Sequence, residues 1–116
     1  MCDDLAMSGA ASGREGGPSG TVTFLFTDIE GSTALWERHQ DVMAAALARH
    51  DEIMRAAVER HGGALFATTG DGVAASFGRA SDAVAAAVEA QRSLDAQAWP
   101  PPVELRVRMG LHTGEA

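Results

Sequence analysis

The stretch that decides the fold is Thr21-Val22-Thr23-Phe24-Leu25-Phe26-Thr27-Asp28-Ile29-Glu30-Gly31-Ser32-Thr33. Val22, Phe24 and Phe26 alternate with Thr21, Thr23, Leu25 and Thr27, a two-residue period rich in β-formers. The odd positions are not strongly polar, which predicts a central strand covered on both sides. It ends in Asp28-Ile29-Glu30-Gly31, and Ser32 or Thr33 is placed to cap a short helix carrying Leu35 and Trp36.

Outward from there, Asp41 can cap a longer helix. Met43, Leu47, Met54 and Val58 recur along it at helical spacing with Ile53 beside them, while Arg49, Asp51, Glu52, Arg55 and Glu59 mostly fall elsewhere. His61-Gly62-Gly63 stops it. Two β-like runs, Ala64 to Thr69 and Val73 to Phe77, flank Gly70-Asp71-Gly72 and read as a hairpin. Ser81 or Asp82 caps a third helix with Val84, Ala87, Val88, Gln91 and Leu94 on one side, and Trp99-Pro100-Pro101-Pro102 breaks it. A final strand alternates Val103, Leu105, Val107, Met109 and Leu111 against Glu104, Arg106, Arg108 and His112. The order β, α, α, β-hairpin-β, α, β predicts an α+β, ferredoxin-like fold, an antiparallel sheet with helices on one face. Residues 1–19, rich in Gly, Ser and Ala, read as a flexible tail ahead of one domain over 20–116.

Composition narrows the function classes. A chain of 116 residues with 46% hydrophobic residues supports one small core without disulfides or structural metal. Cys2 is the single cysteine, which points to a reducing compartment. No apolar run reaches the roughly 18–20 residues that cross a bilayer, and the acidic start lacks a secretory signal, so a cytoplasmic protein is expected. The net charge of -7 argues against generic nucleic-acid binding. All nine basic residues are arginines.

Two acids carry the chemical reading. Asp28 follows a hydrophobic strand and Asp71 sits between two glycines; each alone reads first as a turn residue. If the first strand lies beside the hairpin, both reach one end of the sheet. Two carboxylates about 4 Å apart repel by roughly 4 kcal/mol at an effective dielectric of 20, tolerable if a cation bridges them or one is protonated. Paired carboxylates suit Mg²⁺ or Mn²⁺ better than zinc. Gly31-Ser32-Thr33 would offer backbone N–H groups to phosphates. Metal and anion sites side by side suggest a nucleoside triphosphate. Arg106 and Arg108 read as the solvent-facing side of the last strand. His39, His50 and His61 are scattered, Glu30 reads as exposed, and Trp36, Met43 and Met54 read as core.

Val22 to Thr33, together with Thr69-Gly70-Asp71-Gly72 and Met109-Gly110-Leu111-His112-Thr113-Gly114-Glu115, strongly resembles the class III adenylate/guanylate cyclase catalytic domain in its bacterial form. The resemblance implies that Asp28, Asp71 and the Ile29 carbonyl hold two divalent metals, Mg²⁺ or Mn²⁺, and that Gly31, Ser32 and Thr33 cradle the triphosphate of ATP or GTP. The family reaction is attack of the ribose 3′-hydroxyl on the α-phosphorus, giving a cyclic nucleotide and pyrophosphate for signal transduction. Ala67 stands where adenylate cyclases usually carry a base-reading lysine. The family domain continues past Glu115 into a strand and helix with a second base-reading residue, a ribose-orienting asparagine and a phosphate-stabilising arginine. Since family sites form between two chains, the resemblance implies a C-terminally truncated domain, inactive alone, pairing as a homodimer or with a full-length cyclase. The alternatives are a pseudo-cyclase that binds nucleotide or dimerises as a regulatory module, and a poorly folding gene remnant.

Overall fold

The computed structural model describes residues 20–115; the tail expected over 1–19, with Cys2, lies outside them. Four strands, β1 (Thr21–Ile29), β2 (Ala64–Thr68), β3 (Val73–Phe77) and β4 (Val107–Glu115), alternate with three helices, α1 (Ser32–Arg38), α2 (Gln40–Arg60) and α3 (Ala80–Ala96). The sheet order is β2-β3-β1-β4, every neighbouring pair is antiparallel, and β1 sits inside the sheet. This is the ferredoxin-like arrangement expected from the element order.

One face of the sheet carries the core. Leu25 and Ile29 of β1, Ala75 and Phe77 of β3, and Val107 of β4 join Met43, Met54 and Val58 of α2 and Leu94 of α3 in one buried cluster. Among the described residues no helix covers the opposite face, where the expectation was a strand covered on both sides. Thr23, Leu25, Thr27 and Ile29 are the buried set of β1. The phenylalanines point the other way: Phe24 stacks on Phe26 with ring centroids 6.0 Å apart and meets Phe66 edge-on at 6.2 Å. Phe26 remains 47% exposed and Phe66 56%. Among the described residues, no helix is long and apolar enough to cross a membrane.

The helix starts differ from the expected caps. Gly31, in the left-handed region at φ 68°, is the N-cap of α1, with no side-chain cap. His39 precedes α2 and Arg79 precedes α3, so Ser32, Thr33, Asp41, Ser81 and Asp82 all fall inside helices. The stop of α2 is as read: the Gly62 and Gly63 amides donate to the Glu59 and Val58 carbonyls. The last strand pairs only from Val107, although Val103 and Leu105 are already buried.

The buried side of α3 also differs. Ala83, Ala86, Ala90 and Leu94 face the core, whereas Val84 and Val88 are exposed. Small alanines let α3 lie close against α2 and the sheet, and close packing outweighs the larger burial the valines would give. Glu89 ties the two helices at their rim, taking Arg60 and, at 2.9 Å, His61. Ala90→Leu is therefore expected to cost about 1–3 kcal/mol by overpacking, and Val84→Ala to stay within about 0.5 kcal/mol of the parent; urea midpoints read both.

Candidate active site

The end of β1 and the hairpin turn are stitched together through backbone. Phe26 lies opposite Ala74; continuing that antiparallel register forward along β1 and back from β3 into the turn brings Ile29 opposite Asp71. There the Ile29 amide donates to the Asp71 carbonyl at 2.7 Å. The Val73 amide donates to the Thr27 hydroxyl at 3.1 Å in a buried contact. Gly72 sits between these bonds, so close that a Cβ there would lie 1.9 Å from the Thr27 carbonyl oxygen. Only glycine lets the turn approach this far.

The Asp71 carboxylate is held by neutral donors. The Ser32 hydroxyl reaches Oδ2 at 3.1 Å and the Thr69 hydroxyl reaches Oδ1 at 3.1 Å. Ser32 therefore spends its hydroxyl on the hairpin turn, leaving α1 to start at a glycine without a side-chain cap. Gly31 and Thr33 are exposed beside it. Ala67 lies on β2 opposite Ala74, with β3 between its strand and β1.

Asp28 has a different partner. It faces Arg108 directly across the β1–β4 pair, and the guanidinium grips both carboxylate oxygens, Nε to Oδ1 at 2.8 Å and Nη2 to Oδ2 at 3.0 Å. These hydrogen bonds hold the Asp28 carboxyl below its ordinary pKa, against an opposing push from desolvation and with help from the guanidinium charge. Because the folded value is depressed, the pair contributes at neutral pH and its contribution is lost as pH falls through that value. The alternation of the last strand identified the face of Arg108 but not its contact, so a residue read as merely solvent-facing proves to be the partner of a candidate metal ligand. Opposite charges at matching parity on the two strands were the signal available in the sequence.

The Asp28 and Asp71 carboxylates and the Ile29 carbonyl are hard oxygen donors, a type that suits Mg²⁺ or Mn²⁺. Among the described residues, no group of three or more His, Cys, Asp or Glu side chains is placed to hold a metal. A cleft of about 320 Å³ runs alongside, lined by Glu30, Gly31, Leu35, Arg38, Glu104 and Arg106; Asp28 and Asp71 are not part of its lining.

A family model described as the adenylate and guanylate cyclase catalytic domain matches residues 15–116. A receptor-type adenylate cyclase of Trypanosoma brucei brucei is 61% identical over 31 residues, covering 27% of this chain and 2% of that protein. The solved adenylate cyclases of Trypanosoma brucei in their monomeric state align at 30% identity and TM-score 0.77 over 83% of this chain and 57% of theirs. The guanylyl cyclase Cya2 aligns at 26% identity and TM-score 0.71 over 87% of this chain and 57% of its own. The chain thus spans little more than half of these solved domains. The close approach at the turn is testable by itself: Gly72→Ala should lower stability by about 1–3 kcal/mol, read from denaturant midpoints.

Proposed function

Because the chain belongs to the adenylate and guanylate cyclase catalytic domain family, we propose that it supplies the cation-binding half of a nucleotidyl cyclase site. The reaction served is conversion of ATP or GTP to a 3′,5′-cyclic nucleotide and pyrophosphate. The observation that carries this reading is the 2.7 Å bond from the Ile29 amide to the Asp71 carbonyl, which keeps the chain segments of both acids at one rim.

Asp28, Asp71 and the Ile29 carbonyl would hold Mg²⁺ or Mn²⁺, two per complete site. Bound there, the metal lowers the pKa of the attacking hydroxyl and neutralises phosphate charge. Ser32, already bonded to Asp71, fixes that carboxylate's orientation. The Gly31-Ser32-Thr33 segment offers backbone and hydroxyl donors to phosphate oxygens. Positioning and charge stabilisation, rather than covalent chemistry, are the work of this half.

The other half calls for a ribose-orienting asparagine and a phosphate-stabilising arginine. These 116 residues hold no asparagine; a complete cyclase would bring one in a heterodimer, whereas a second copy of the same residues would not. The open sheet face bearing Phe24, Phe26 and Phe66 gives such a partner somewhere to rest. A second reading, a non-catalytic module that binds nucleotide or dimerises, is favoured by Ala67. An alanine gives no side-chain hydrogen bond to a base, and that loss removes on the order of 1–3 kcal/mol of discrimination.

Calorimetry with Mn²⁺ and ATP tests the shared reading. Binding should require both ligands together, and Asp71→Asn should weaken it at least ten-fold; no Mn²⁺-assisted ATP binding by folded protein contradicts it. Mixing with a full-length cyclase whose own metal-binding acids are replaced separates the two versions. Restored cyclic-nucleotide formation supports the catalytic half-site, and retained binding without product supports the regulatory module.

A further inference from the structure

We infer that Arg108 is a built-in counter-cation that occupies Asp28 and has to be displaced before that carboxylate can hold a divalent ion. The inference rests on the reading of Asp28 and Asp71 as cation ligands and adds a control on that site.

Four observations carry it. The contact is a two-pronged fork on both oxygens of Asp28, a geometry that arginine matches and a point charge does not. It is set by the sheet, because Asp28 and Arg108 are register partners across β1 and β4 and cross-strand neighbours of the same parity share a face. Both side chains are accessible, 47% for Asp28 and 67% for Arg108, so the pair opens to water without burying a bare charge. Finally, the arrangement is one-sided. Asp71 is held only by the hydroxyls of Ser32 and Thr69, so one acid of the rim already has a cation and the other has none.

The two acids of the rim thus differ in their partners: a guanidinium neutralises Asp28, whereas Asp71 is bound by neutral hydroxyls. An incoming divalent ion therefore meets Asp71 as the standing ligand and competes with Arg108 for Asp28. Glu30, whose charge also acts favourably on Arg108, offers the released guanidinium another carboxylate. An accessible ion pair shifts an equilibrium by no more than about five-fold, so the device tunes cation affinity and does not abolish it. Removing the arginine also removes a positive charge next to the incoming ion, which acts in the same direction.

The test is Mn²⁺ binding to the whole chain, followed by calorimetry in the presence of ATP, for the parent, Arg108→Met, Arg108→Lys and Arg106→Met. Arg106 has the same charge, sits two residues away and pairs at 3.9 Å with Glu104 instead of Asp28. Expected are a three- to ten-fold lower Kd in Arg108→Met, an intermediate value in Arg108→Lys, and less than a two-fold change in Arg106→Met. Thermal melts confirm that each variant is folded, and Arg108→Lys carries the test if Arg108→Met is not. Equal or weaker Mn²⁺ binding in the Arg108 variants, with binding retained by the parent, overturns the inference while the cation reading stands. Equal tightening in Arg106→Met overturns it in favour of a net-charge effect. No binding by any folded variant overturns both.

Discussion

The hydrogen bond from the Ile29 amide to the Asp71 carbonyl is the constraint on which the site depends. It is a backbone bond, so it fixes chain positions and leaves both acid side chains free. Its formation needs the hairpin turn to come almost into contact with the Thr27 carbonyl, which is why residue 72 has no side chain. The Ser32 hydroxyl then reaches across from the start of α1 to the turn. The junction of β1 with α1 and the β2–β3 turn, distant in sequence, become one rim through a few short bonds.

The charge pattern at that rim follows from the sheet. A strand with a period of two sends Asp28 to the same side as Phe24 and Phe26, away from the helices. Register then brings Arg108 opposite it. The acid is therefore solvent-accessible and paired with a guanidinium. Asp71, in a turn, is free of that geometry and is oriented by hydroxyls. The two acids are similar in sequence appearance and unequal in electrostatic state.

Much of this was legible in the sequence, and what was not has physical reasons. The strand at Thr21 to Ile29, the hairpin around Asp71 and the stop at Gly62-Gly63 all rest on local chemistry: alternation, turn residues and a left-handed terminus. The helix faces were less legible. Hydrophobicity favours Val84 and Val88 as the buried side of α3, yet packing distance selects Ala83, Ala86 and Ala90. Capping residues misled for a related reason, because Ser32 has a tertiary partner that local preference does not register. Arg108 was the largest omission. Alternation assigns a residue to a face but is silent about its cross-strand neighbour, which depends on the register of two strands nearly eighty residues apart.

The most direct measurement is anomalous diffraction from crystals of this protein grown with Mn²⁺ and a nucleoside triphosphate. The account predicts a manganese peak at the rim, with oxygens of both Asp28 and Asp71 at about 2.0–2.6 Å, the span of hard divalent cation–oxygen contacts, and with the Arg108 guanidinium withdrawn from Asp28. Manganese bound elsewhere, or ligated by neither acid, would contradict it.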